Sequence, residues 1–398
     1  MRTSEQLRYS PFDYEIHEDP YPTYARLREE APVYRNAEID FWALSRHEDV
    51  ANAFRDSAVF SSAMGVSLEP AATGPNAWRS MSFLAMDPPR HGLVRSIVSR
   101  GFTVRRITDM EPHIFELTRQ HLDPALEQGT FDFVADFAGK LPMDVLSEMI
   151  GFPPADRAEV RRLADLLVHR EDGVYDVPRS GIDAAIELAK YFSEMIVERR
   201  KQRADDLISA LIDAELGDEK LGDPEIMSFL FLIVVAGNET TAKLLANAWY
   251  WAWRNKDERA KPFADPGRIE NWIDETLRFD GSSQMLARTL TDDVELHGVR
   301  IPKDGRALLL IGSANRDPRV FPEPDRYDLD RDTAEMVSFG AGRHFCLGAP
   351  LARLEARIAL NELVRRVKDY DIDESGAKRV HSVNVRGFES LPTTVMTR

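Results

Sequence analysis

The chain has 398 residues, 43% hydrophobic and 30% charged, with a formal net charge of −16, a mix that belongs to a globular rather than a disordered protein. That much negative charge is repelled by phosphate backbones and anionic lipid, which argues against nucleic-acid and membrane-surface binding. The one cysteine, Cys346, excludes an intramolecular disulfide and a multi-cysteine zinc site and points to a reducing compartment.

Residues 1–14 carry no apolar run of the kind a signal peptide needs, so a cytoplasmic protein is expected. Apolar residues three and four apart predict helices over 20–30, 112–126, 138–150, 155–168 and 182–203. Short strands are predicted at 32–34, 41–44, 294–296 (leading into a turn at His297 and Gly298) and 307–310. A longer helix should start at Asp223, a good N-cap, with Pro224 in the first helical position and Glu225 at the positive end of the dipole. Its pattern runs to about Arg254, a rod of roughly 45 Å. Residues 229–235 are apolar on every side, as in a helix through the middle of a core. Ala236, Gly237, Asn238, Glu239, Thr240 and Thr241 then interrupt it with polar and flexible residues. The longest apolar stretch, 227–236, falls far short of the roughly 20 residues that span a bilayer. No repeat, low-complexity block or linker divides the chain, so residues 1–398 are expected to form one domain.

The loop from Phe339 to Gly348 reads Phe-Gly-Ala-Gly-Arg-His-Phe-Cys-Leu-Gly and precedes an amphipathic helix at 352–367. Its glycines permit a tight fold behind the sulfur, and the amides at the helix entrance favour a thiolate. Cys346 therefore reads as an anionic metal ligand, with Arg343 and His344 adding positive charge beside it.

Phe339, Gly340, Cys346 and Gly348, at this spacing, resemble the haem-binding signature of the cytochrome P450 family. The resemblance implies that the Cys346 thiolate ligates the iron of haem b. Residues 236–241 are similar to that family's oxygen-activation motif. There Ala236 and Gly237 would let haem and O₂ approach the helix, and Thr240 would face the iron. Glu239, about 100° round the helix, would gather protons from solvent. Glu275 and Arg278, meeting at i and i+3, resemble the family's structural ExxR pair, and Arg326 matches its usual third member. His91, Arg95, Arg288 and His344 match the donors to the haem propionates.

The resemblance further implies a mainly α-helical fold with a minor β region, a triangular prism around a buried haem. The activity implied is a monooxygenase, with O₂ as co-substrate. Electrons would come from a ferredoxin-type donor docking on the proximal face of a monomer, where Arg100, Arg105, Arg106, Arg343, Arg353 and Arg357 gather. Candidate pocket walls are residues 62–83 with Phe83, 168–179, Phe229, Ile233 and Ala236, 282–286 with Met285, and Phe388. Their apolar character favours a hydrophobic small-molecule substrate. His169, Arg170 and Arg179 read as solvated loop charge. Two other readings stay open: a peroxide-driven peroxygenase, against which the Glu239–Thr240 pair counts, and a non-catalytic haem sensor, which needs no such pair.

Overall fold

The computed structural model describes residues 7–172, 174–216 and 219–398. Residues 1–6 of the N-terminal segment and Gly173 of the candidate pocket wall lie outside it. The fold is mainly α-helical with minor sheets. Ten helices carry the argument: α1 (Tyr21–Glu30), α2 (His47–Arg55), α3 (Arg90–Ser99), α4 (Glu111–Gln128), α5 (Leu141–Ile150), α6 (Arg157–Val168), α7 (Arg179–Lys201), α8 (Asp223–Arg254), α9 (Ile269–Asp280) and α10 (Ala349–Arg366).

The central helix α8 keeps the bounds its periodicity predicts. Its cap lies one residue earlier than expected, because the Glu225 carboxylate reaches back to accept the Gly222 amide at 3.1 Å. By length and hydropathy α8 could cross a bilayer. Instead α5, α6, α7, α9 and α10 pack around it, and Trp249 near its C-terminal end stacks on Tyr370 at 3.5 Å and Phe133 at 5.2 Å. The helix predicted over 138–150 begins only at Leu141. Residues Phe133–Ala138 instead take a wider helical turn, anchored where the Asp132 carboxylate accepts the amides of Val134 and Ala135.

Eight strands matter: β1 (Val33–Asn36), β2 (Phe41–Leu44), β3 (Phe60–Ser61), β4 (Thr130–Asp132), β5 (Met285–Leu290), β6 (Arg306–Leu310), β7 (Val367–Ile372) and β8 (Pro392–Thr397). The larger sheet runs β1-β2-β6-β5-β3, with β6 parallel to β2 and antiparallel to β5. A second sheet, β7-β8-β4, ties the C-terminus to the segment after α4. The predicted turn at His297 and Gly298 joins Val294–Leu296 to Val299–Ile301, both turn residues having positive φ as a tight hairpin requires.

Alternation along β5 decides what faces what. Met285 and Ala287 point into a cluster with Tyr9, Phe12 and Tyr24, and the Tyr9 hydroxyl donates to Met285 Sδ at 3.5 Å. Arg288 takes the opposite face, its guanidinium 5.4 Å from the Phe54 ring. Met285 is therefore no wall of a pocket on the Arg288 side; a period of two puts it behind the sheet.

Candidate active site

The cysteine loop is shaped by two left-handed glycines, Gly340 at φ +71° and Gly342 at φ +67°. At Gly342 any side chain would also run into the Phe54 carbonyl, 2.9 Å from an added Cβ. The Cys346 amide donates to the Phe339 carbonyl at 2.9 Å and closes the loop. Protein crowds the thiol, yet the residue keeps an open side. Burial pushes the Cys346 thiol up; the amides of Gly348 and Ala349, with Arg95 and Arg353, pull it back toward the anion. Arg353 stacks on Phe339, 4.7 Å from the ring centre, and so fixes the base of the loop.

Beside the sulfur, donors converge from three elements. His91 and Arg95 come from α3, Arg288 from β5, and His344 from the loop. The His91 and His344 rings lie 4.2 Å apart, and Arg95 donates to the Phe345 carbonyl at 2.5 Å. His91 Nε2 and Arg288 Nη2 are buried without a hydrogen-bond partner among the described residues, and the His344 ring meets only the backbone of Met86 there. Burial, then Arg95 and Arg343, lower His91 to about 4. Burial, then Arg288, His91 and Arg95, lower His344 to about 3. Arg288 falls to about 10, mainly through burial. Such a cluster of unanswered donors calls for anions.

The middle of α8 is tied to this cluster through Phe83, whose ring lies 6.0 Å from His91 and 6.3 Å from Phe229 of α8. In a helix buried on most sides, Ala236 is exposed and Thr240 is partly so, whereas Asn238 and Glu239 are buried. Thr240 donates its hydroxyl to the Ala236 carbonyl at 2.7 Å. Gly237 faces elsewhere: a Cβ there would lie 2.5 Å from Leu146 Cδ1. Its missing side chain lets α8 settle on α5, so the glycine also serves helix packing. Glu239 pairs with Lys243 one turn on, Oε2 to Nζ 3.3 Å, both buried, and hydrogen-bonds Asp165 of α6.

Phe83 and Phe229 stack at 6.3 Å, while Ile233 is buried further along α8. Phe388 stands apart. Its ring lies 4.7 Å from Tyr250, and Tyr250 is ten residues beyond Thr240, about 15 Å along the helix axis. It belongs to the core at the far end of α8, which corrects its placement as a pocket wall.

Beneath the site, Glu275 and Arg278 of α9 form a buried fork, Nε–Oε2 2.7 Å and Nη2–Oε1 2.8 Å. Arg278 also donates to the carbonyls of Asn315 and Pro324, and Asp328 gives its amide to Glu275 Oε1 at 2.9 Å. The third side chain is Arg331, at 3.4 Å from Glu275 and 8% exposed, not Arg326. The Arg326 guanidinium points outward to Glu323 and Asp328 and is 59% exposed, leaving only its carbonyl in contact with Arg278. The segment Pro322–Asp330 has no regular period from which sequence could tell the two arginines apart. Arg170, read as solvated loop charge, is instead buried against Glu69 at 2.7 Å.

Cys346, the donor cluster and the exposed turn of α8 fit haem: one thiol for the metal, unanswered donors for two carboxylates, and an apolar-walled face between. Two surface clefts lie elsewhere, one over Phe321 and Arg331 and one between Tyr21, Tyr250 and Arg379; neither contains Cys346 or Thr240.

The cytochrome P450 family model matches residues 269–374. A putative cytochrome P450 123 of Mycobacterium tuberculosis is 56% identical over 394 residues, 99% of this chain and 98% of that one. Among solved structures, a cytochrome P450 from Chondromyces apiculatus superposes with TM-score 0.88 at 33% identity, covering 98% of this chain and 99% of the other. A P450 crystallised with an acyl carrier protein bearing hexadec-9Z-enoic acid gives TM-score 0.87 at 29% identity, over 96% and 99%. With near full-length identity of this order joined to a cysteine loop, donor cluster and helix groove that fit haem, the chain belongs to the cytochrome P450 family of haem monooxygenases.

Proposed function

We propose that this enzyme holds haem b through the Cys346 thiolate and uses O₂ to oxidise a mostly hydrophobic small molecule, with electrons from a ferredoxin-type donor in the cytoplasm. The middle of α8 carries the reading. Thr240 commits its hydroxyl proton to the Ala236 carbonyl, so its oxygen is left to accept a hydrogen bond from water on the open face. Glu239, one residue earlier and turned into the protein beside Lys243, is placed to supply protons there. A peroxide-driven enzyme has no use for this pair, since peroxide brings its own protons and electrons, and neither has a sensor.

Haem, when bound, supplies the redox chemistry with O₂. The chain's part is to hold and surround it. His91, Arg95, Arg288 and His344 would receive the two propionates. Phe339, Gly340 and Gly348 shape the loop behind the sulfur, and Ala236 leaves room on the opposite face. Phe229 and Ile233 of α8, with Phe83 stacked on Phe229 from the segment Ser82–Ala85, support an apolar substrate, because they set stacked rings and a branched aliphatic together. For the donor, three of the six proximal arginines are already paired, Arg353 with Asp274, Arg357 with Glu111 and Arg105 with Asp109. Arg100, Arg106 and Arg343 form no ion pair among the described residues and would carry the attraction to an acidic partner.

The Thr240→Ala variant tests the reading. It should keep its haem and its thiolate spectrum while most reducing equivalents appear as hydrogen peroxide instead of product. Tight coupling in that variant would refute the relay.

A further inference from the structure

Asp165 and Glu239 bring two carboxyl groups from different helices into one hydrogen bond, where α6 crosses α8. Two such groups in contact do not both ionise; one proton is shared between them. The surrounding charges decide where it sits. Lys243 lies 3.3 Å from Glu239 Oε2, and both side chains are buried. The Lys243 stem is held under Gly387, where an added Cβ would come within 2.4 Å of Lys243 Cβ. With its stem confined there, the ammonium beside Glu239 favours the negative charge on Glu239. Arg161, one turn before Asp165 on α6, also faces the pair. Its guanidinium is tucked against Gly139, at the end of the wide turn after β4. Asn238, buried next in the chain, approaches Glu239 Oε1 at 3.5 Å.

The directions agree. Burial first, then the hydrogen bond and charge of Glu239, push the Asp165 carboxyl up to about 8, against the pull of Arg161 and Lys243. Burial works against an ionised Glu239 too, but Lys243, the Asp165 hydrogen bond and Arg161 hold it below the usual carboxyl range. Protein crowds the Asp165 carboxyl, yet the residue keeps an exposed side, whereas Glu239 is 4% exposed. Between them lies the step from water to the protein interior.

We propose that Asp165 is a positioning residue of the relay, holding a transferable proton in its hydrogen bond to Glu239 and resupplying Glu239 from the solvent side. First the Asp165 O–H breaks as a Glu239 O–H forms; that Glu239 O–H then breaks as the proton bonds to the water at Thr240, returning Glu239 to its carboxylate. The Asp165 carboxylate then takes a proton from solvent, and no electrons move. The inference rests on the Glu239–Thr240 reading above.

Infrared difference spectra of the haem-loaded enzyme, wild type minus Asp165→Asn, test it without turnover. The expected result is a protonated-carboxyl C=O band near neutral pH that shifts in D₂O and titrates away through about 8. Glu355, buried in α10 and pushed up to about 8 by burial alone, gives its own band, which cancels in the difference. In turnover, Asp165→Asn should lower product per electron about tenfold and flatten its pH dependence between 6 and 9, as loss of an outer-shell proton partner does. Asp165→Glu should restore both. Absence of the band, or its presence in Asp165→Asn, overturns the proposal; so does an unchanged pH profile, which would make the pair merely structural. If Thr240→Ala turns over with tight coupling while the band behaves as expected, it is the underlying relay that fails, and not the shared proton.

Discussion

Replacing Arg331 by alanine takes away the one side chain that, among the described residues, pairs with Glu275 from outside α9, at 3.4 Å. It also releases the carbonyls of Glu323 and Arg326, which accept from Arg331 at 3.0 and 3.1 Å. The two carbonyl bonds, charge-assisted and at about 1.5 kcal/mol each, put the loss near 3 kcal/mol, the longer Glu275 contact adding little. Arg278 would still cover Glu275 through its fork, so the cost should stop short of breaking that pair outright. Glu275→Gln is the harsher change, leaving the Arg278 guanidinium buried without its counter-charge at about 3–5 kcal/mol. Arg326→Ala removes an exposed guanidinium from exposed Glu323 and half-buried Asp328 and should cost no more than about 1 kcal/mol. Urea unfolding of the haem-loaded proteins, followed by far-UV circular dichroism and by the Soret band, gives the order Glu275→Gln, Arg331→Ala, Arg326→Ala from least to most stable. If Arg326→Ala unfolds at or before Arg331→Ala, the assignment of Arg331 to the buried network is wrong.

Haem retention should depend on the donor cluster: His91→Ala and Arg288→Ala are each expected to weaken haem binding about 10- to 100-fold by losing a charge-assisted hydrogen bond, measured by transfer to apomyoglobin. Gly237→Val should cost about 2–3 kcal/mol by driving into Leu146, and much of that cost should vanish when Leu146→Ala is added, a coupling that purely local helix effects would not show. Because native Asp165 keeps its proton up to about 8 while an unfolded carboxyl releases it near 3.9, the native state binds the extra proton between those values. Wild-type stability should therefore decline relative to Asp165→Asn as pH rises across that window; parallel curves would contradict it. Reversing Arg100 and Arg106 to glutamate should slow electron transfer from a ferredoxin without altering substrate-induced spin shifts, in stopped-flow measurements.

The features that sequence revealed best are contiguous ones. The cysteine loop packs its glycines, its ligand and the start of α10 into a dozen positions, and α8 announces itself by an apolar run with polar residues in the middle. What stayed hidden depends on pairings between distant segments. Nothing in the spacing of Asp165 and Glu239, or of Glu69 and Arg170, marks them as partners, because each pair forms only where helices or loops cross. The i, i+4 spacing of Glu239 and Lys243 was present to be read. So was the alternation of β5, which assigns Met285 to the face opposite Arg288. Gly237 shows a different limit: a glycine in a helix signals close approach without saying from which side, and its packing on Leu146 could not be read.

The central claim is that the Cys346 sulfur is the protein's ligand to haem iron. The absorption spectrum of the dithionite-reduced, carbon-monoxide-bound enzyme tests it most directly. The account predicts a Soret band red-shifted to the position for which the family is named, and its loss in Cys346→Ser. A band at the shorter wavelength of histidine-ligated or thiol-ligated haem in well-folded wild-type protein would contradict it.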